Sequence, residues 1–205
     1  AVVIRAVHLS GGTGDINDDV LTRPEMYLRS INMVMVVLNA AMLFLLGWIV
    51  RRFTRNPWSA LWFQAAPFFS ITLLQYGLTR VTPEPLLFFA GMVMVAAFVS
   101  WYYRGEDAPV TWKNIVLFGL IAGFGIAVKI TFFPVVLIPL FLIPGFWNKS
   151  KYVAASVAGF VIFTLPIIRM YPRFFQWIIN LFSHSGRYGS GPSGMIPTEK
   201  YIANI

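Results

Sequence analysis

The apolar residues of this chain come in blocks, separated by short polar connections. The first block, residues 31–50 (INMVMVVLNAAMLFLLGWIV), stops at Arg51, Arg52 and Arg55. Others cover 58–78, 85–103 (ending at Arg104), 115–128 (stopping at Lys129), 131–147 and 152–168. A helix that crosses a bilayer needs about 20 mostly apolar residues. The pattern therefore predicts an all-α, polytopic transmembrane bundle of about six spans over residues 28–170. Residues 171–184, YPRFFQWIINLFSH, mix aromatic and polar positions and predict an amphipathic helix at the membrane interface. With the glycine-rich stretch SGRYGSGPSG after it, that helix makes up a region 171–205. Residues 1–27 are too poor in apolar positions to span and are expected to form an acidic loop outside the membrane.

Composition sharpens this reading. Charged residues make up 12% of the chain and hydrophobic ones 58%, with a mean hydropathy of +0.70; an ordinary soluble domain carries about 25% charged residues. The net charge of +8 would raise nucleic acid as a partner if the bases formed one stripe. They lie instead at the ends of apolar runs, where membrane topology and anionic lipid account for them, so no nucleic-acid partner is expected. The chain has no cysteine, which excludes disulfides, thiolate metal sites and a cysteine nucleophile. It opens at Ala1 without a signal-peptide pattern and reads as a piece of a longer natural protein.

Basic residues in short loops set orientation. Alternate connections hold Arg51, Arg52, Arg55, Arg104, Lys113, Lys149 and Lys151, whereas the opposite ones hold only Arg80 and Lys129. The first set is placed in the cytoplasm. The acidic N-terminal stretch, the 79–84 connection, Lys129 and the region from Tyr171 then share the other face. The chain is expected to be a multi-pass protein of a prokaryotic plasma membrane whose active face is non-cytoplasmic.

The charges on that face are the candidates for chemistry. Asp15, Asp18 and Asp19 (GDINDDV) suit a general base or a divalent cation, or are simply a polar loop; they lack the later ligands of a calcium loop. Glu84 sits between Pro83 and Pro85, where a helix begins, so its charge either complements the helix dipole or acts with Arg80. Lys129 follows a run short for a full span, which predicts a turn below the membrane surface inside protein or a wet cavity. Gly119-x-x-x-Gly123, Gly125 and Ala155-x-x-x-Gly159 let those helices approach a neighbour closely. His184, Arg187 and Tyr188 fall in HSGRYGSG, where glycines permit close backbone approach and the arginine can hold a phosphate, or the stretch is a plain surface loop.

In their order, PEMYLRSINMVMVVLNAAMLFLLGWIVRRF (with Arg29 near its start), LTRVTPEPLLFF and GLIAGFGIAVKITFFPVVLIPLFLI resemble the GT-C superfamily of polytopic glycosyltransferases. The nearest likeness is to protein O-mannosyltransferase-like and lipid A aminoarabinose-transferase-like enzymes. The tail HSGRYGSG resembles the luminal segment of prokaryotic members. The resemblance covers nearly the whole chain, as helices two to seven of such an enzyme. It implies a polyprenyl-phosphate sugar lipid as donor, an acceptor protein, lipid or glycan, and transfer at the outer face. It assigns Asp15, Asp18, Asp19 and Glu84 as candidate acids. It assigns Arg80, Lys129, His184, Arg187 and Tyr188 to donor and phosphate binding. Some relatives use a divalent metal ion and others do not, so a metal stays open. The family's first helix is not found here, and its principal acid lies soon after that helix. The competing readings are a transporter or flippase for an anionic lipid or solute, and a non-catalytic membrane subunit.

Overall fold

A computed structural model of the chain describes residues 2–69, 81–103 and 110–184. Among these residues the regular elements are all helical: α1 (Val2–Gly11), α2 (Ile16–Thr22), α3 (Pro24–Thr54), α4 (Pro57–Ala65), α5 (Glu84–Tyr102), α6 (Trp112–Val128), α7 (Phe133–Leu142), α8 (Phe146–Thr164) and α9 (Tyr171–Ser183). The stretch expected as an N-terminal loop thus holds two short helices. The chain divides into two units, Ala1–Phe163 and Thr164–Ile205.

Among the described residues three helices are long and apolar enough to cross a membrane: Pro24–Thr54, Glu84–Tyr102 and the run Phe146–Asn180. The described residues are all-helical and include helices of the kind a membrane protein has. The other expected spans are shorter, for reasons visible in the residues. In the run 58–78, α4 has nine residues and gives way at Pro67 to a 3-10 turn, Ala66–Phe69; residues 70–78 lie outside the described residues. The run 131–147 contains Pro134, Pro139 and Pro144 and yields the turn Ile130–Phe132 and ten-residue α7. Proline removes a backbone donor and its ring opposes continuation of the helix. Many large side chains of the long helices face outward, among them Phe44, Val157 and Ile162, as lipid-facing positions require.

Sequence punctuation sets the boundaries. Pro24 opens α3 at its first turn, where the missing N–H leaves no bond unmade. The helix stops where Arg55 turns left-handed (φ 54°) and its N–H donates to the Arg51 carbonyl at 2.9 Å. Asn56 then caps α4, its side chain accepting from the Trp58 N–H at 2.9 Å. This tight turn sends α4 back along α3, where Gln64 Nε2 donates to the Leu43 carbonyl at 3.1 Å. Met42, Leu46 and Val50 of α3 bury against Met92, Ala96 and Val99 of α5 and Ala60 of α4.

The second core joins α5, α6, α7 and α8 through Ala90, Met94, Ile115, Phe118, Ala122, Val136 and Tyr152. The rings of Phe98 and Phe118 stack with centroids 4.7 Å apart. Helices α6 and α8 touch along their small residues. A Cβ built on Gly119 would lie 2.4 Å from the Ala155 Cβ, and one on Gly123 would lie 2.4 Å from the Ser156 carbonyl oxygen. The two small-residue patterns are therefore each other's partners. Pro139 denies the Val135 carbonyl its usual donor. One residue on, the buried Tyr152 hydroxyl donates to the Val136 carbonyl at 2.8 Å, tying the proline-containing helix to α8.

In the second unit, a 3-10 turn (Leu165–Met170) leads into α9, and the Thr164 and Tyr171 hydroxyls are hydrogen bonded. Arg173, Gln176, Asn180 and Ser183 recur every three or four residues along α9. Phe175 and Ile179 are exposed. The expected amphipathic helix is present.

Candidate functional site

The structure gathers charge in two places in the first unit. One is the junction of α5 and α6. Glu84 is the first residue of α5 and Pro85 its opening proline, so the carboxylate sits at the positive end of the helix dipole. Lys129 caps the other helix. Its N–H donates to the Gly125 carbonyl at 3.0 Å, and its own backbone is extended (φ −162°, ψ 133°). An ammonium there sits at the negative end of the α6 dipole. Lys129 Nζ donates to Glu84 Oε1 at 2.6 Å. The Thr82 side chain is a further hydrogen-bond partner of Glu84.

Local packing fixes the lysine. After Lys129 the chain reverses through Ile130–Phe132, and the Phe132 ring folds back over Gly125, where a Cβ would lie 2.1 Å from Cδ1. Phe132 is buried. The missing side chain at Gly125 thus creates the space that lets the turn form directly after Lys129. In the sequence Gly125 reads as a helix-packing position; in the structure it makes room for the Phe132 ring.

The ion pair is partly open, with 41% of the Lys129 side chain and 29% of the Glu84 side chain accessible. Pairs this exposed stabilise a fold by about 0–1 kcal/mol. Both groups can meet a ligand without unfolding anything. Because α5 and α6 form a hairpin pinned at this end by the pair, Lys113 in the first turn of α6 lies at the other end, about 24 Å away along the helix. That is close to the thickness of the hydrocarbon core, about 30 Å.

The second cluster is built on Asp19, and only one of the three N-terminal aspartates belongs to it. Asp15 is the N-cap of α2 and accepts from the Asn17 N–H at 2.8 Å; Asp18 is exposed on the first turn of the same helix. Both are accounted for by capping and the helix dipole. Asp19 is buried, with 2% of its side chain accessible. Arg23 Nε donates to its Oδ1 at 2.8 Å, and the Tyr27 hydroxyl donates to Oδ2. His8 Nδ1 lies 3.2 Å from both Oδ2 and the Tyr27 oxygen. The Tyr27 hydrogen bond is the main cause that lowers the Asp19 carboxyl from its usual 3.8 to about 2; burial opposes it, and the Arg23 and His8 bonds add to it. The cluster clasps α1 and α2 to the start of α3.

The sequence-predicted set is therefore divided. Glu84 and Lys129 meet. Among the described residues no hydrogen bond or ion pair connects them to Asp15, Asp18 or Asp19. His184 ends α9 in the second unit, its Nδ1 3.0 Å from Ser183 Oγ. Arg80, Arg187 and Tyr188 lie outside the described residues. Among the described residues no three histidine or acidic side chains converge on a point that could hold a metal ion. Sequence reasoning missed His8, Arg23 and Tyr27 as partners of Asp19. The Asp19–Arg23 spacing of four on a helix was a usable signal; nothing in the sequence pointed to His8. Comparison of the chain with protein-family models, with curated proteins and with solved structures returns no match.

Proposed function

We propose that this chain is the membrane core of a GT-C-like glycosyltransferase, which moves a sugar from a polyprenyl-phosphate donor to an acceptor at the non-cytoplasmic face. The observation that carries the reading is the accessible Glu84–Lys129 pair at the junction of two apolar helices. Intramembrane charge of this kind marks function more often than stability. In the reaction, an acceptor hydroxyl attacks the anomeric carbon. The bond from that carbon to the phosphate oxygen breaks, and the phosphate leaves with the electron pair. The hydroxyl proton goes to the Glu84 carboxylate, and Lys129 stabilises the negative charge that develops on the phosphate. A donor phosphate that engages Lys129 also releases Glu84 from its ion pair, which frees the carboxylate to take the proton.

The finer parts of the reading follow from the same resemblance: six spans, and a donor-binding role for Arg80, His184, Arg187 and Tyr188. The test uses the natively expressed protein with radiolabelled polyprenyl-phosphate sugars. Glu84→Gln and Lys129→Ala should each lower transfer by about 100-fold or more, the usual range for a positioned acid or base, with thermal unfolding little changed. The exchanged pair Glu84→Lys/Lys129→Glu keeps the ion pair but sets both charges against their helix dipoles, so it should fold with a loss of about 1–2 kcal/mol and remain inactive. A folded Lys129→Ala protein with normal turnover, or activity restored by the exchanged pair, overturns the proposal.

A further inference from the structure

The far end of α3 carries a second feature that the transferase reading does not use. Arg51 and Arg52 lie in its last turn, and Arg52 sits over the Trp48 ring, 5.3 Å from the centroid. Between α3 and α4 runs a cleft of about 350 Å³ lined by Phe44, Gly47, Leu61 and Gln64, with Trp48 and Arg51 also on its wall. A second hollow, formed by Trp48, Arg51 and Arg52, shares two of those residues. An apolar slot thus continues into a cationic mouth.

The slot is a consequence of particular residues. Gly47 contributes no side chain, and Gln64 folds into that space, 2.1 Å from where a Cβ would stand. One of its two amide N–H donors is used on the Leu43 carbonyl. The mouth is held by the turn already described, with Arg55 left-handed and Asn56 capping α4. Among the described residues neither Arg51 nor Arg52 makes an ion pair with a carboxylate. Both side chains are exposed. Dipole complementarity at a helix C-terminus explains one such base. It does not explain two adjacent arginines, one stacked on an indole, at the head of an apolar channel that runs down a membrane helix.

Arginine presents a planar fork matched to phosphate oxygens, tryptophan prefers the headgroup level, and basic pockets between membrane helices take anionic headgroups. We propose that the α3–α4 cleft binds one anionic phospholipid, its phosphate against Arg51 and Arg52 and an acyl chain along Phe44 and Leu61. The site uses neither Glu84 nor Lys129 and stands independently of the transferase reading.

Native mass spectrometry of the detergent-released protein with equimolar phosphatidylglycerol and phosphatidylcholine tests it. One phosphatidylglycerol should be retained in preference, by about fivefold for each arginine engaged. Arg51→Gln/Arg52→Gln should bring the two lipids to parity, with circular dichroism reporting on folding. Arg51→Lys/Arg52→Lys keeps the charge and should keep a reduced preference, which serves if the glutamine variant does not fold. Millimolar glycerol phosphate, a headgroup without chains, should leave the bound lipid in place. Parity in the unmodified protein, an unchanged preference in a folded glutamine variant, or displacement by glycerol phosphate (an anion site with no lipid seat) would each overturn the proposal.

Discussion

Replacing Gly123 by alanine tests the backbone contact between α6 and α8. The added Cβ would lie 2.4 Å from the Ser156 carbonyl oxygen, 2.5 Å from the Phe160 nitrogen and 2.8 Å from the Gly159 carbonyl carbon. Ordinary contact begins near 3.4 Å, so the shortfall reaches 1.0 Å (3.4 less 2.4). All three atoms are backbone, and no side chain can swing away to relieve it. Helices α6 and α8 must move apart along the crossing. In a membrane that contact is held by close packing, because lipid offers no hydrophobic force to drive helices together. Overpacking of this kind costs about 1–3 kcal/mol, and the better helix propensity of alanine returns about 1 kcal/mol. The net expectation is a loss of about 0–2 kcal/mol, set against the gain expected where no atom is in the way. Two controls set the scale. A Cβ on Gly159 meets Leu120 at 3.1 Å, which needs a shift of tenths of an ångström, so Gly159→Ala should fall within about 0.5 kcal/mol of the parent. A Cβ on Gly91 meets nothing within 4 Å, so Gly91→Ala should gain about 0.5–1 kcal/mol. Reversible unfolding in mixed micelles, followed by tryptophan fluorescence, gives the order. If Gly123→Ala proves as stable as Gly91→Ala, the α6–α8 crossing described above does not exist.

Two further outcomes are expected. Asp19 has a folded-state pKa below its ordinary value, so its clasp is fully present above pH 3.8 and is lost as the pH falls through about 2. Hydrogen exchange in α1 and α2 should therefore rise across that window, and a Tyr27→Phe protein, which lacks the main bond holding the carboxyl down, should start to open at higher pH. An identical profile in the two proteins would refute the clasp. Gly125 and Phe132 occupy one space, so Gly125→Ala alone should destabilise, while Gly125→Ala/Phe132→Ala should depart from additivity by about 0.5–3 kcal/mol; additive losses would separate the glycine from the Lys129 turn.

Much of this was legible before any coordinate, and the residues show why the rest was not. The arginines at 51, 52 and 55 mark the end of α3 because helix ends depend on local chemistry, whereas its start at Pro24 falls inside the stretch 1–27 expected as a loop. The break at Lys129 was readable from run length. Gly119-x-x-x-Gly123 and Ala155-x-x-x-Gly159 announced close contacts, but a spacing of four names a face and no partner. Six apolar runs stand out in the sequence, but hydropathy measures transfer of side chains and is blind to whether the backbone stays helical. Pro67, Pro134 and Pro139 decide that, and each sits where a described helix is short or turns to 3-10. The N-terminal aspartates looked alike in sequence. Only Asp19 is buried, because burial depends on Tyr27 and on His8, eleven residues away, and contacts between separate helices leave no local trace.

Opposite charges in a chain this apolar need a physical account. Glu84 and Lys129 each occupy the helix end whose dipole favours its sign, so either charge alone is tolerable at that depth. Their pairing lowers the remaining cost but adds little stability while more than a quarter of each side chain is accessible. Helix capping therefore explains why the two charges are permitted there, and it does not explain why they face each other. Their meeting depends on features with no role in capping. These are the extended backbone at Lys129, the reversal at Ile130–Phe132, and a glycine at 125 that makes room for a buried phenylalanine. A chain selected only for packing could end α6 with any residue whose backbone donates to Gly125. Aiming an ammonium at a carboxylate on the neighbouring helix demands the whole arrangement, and that demand is the physical reason to look for chemistry between them.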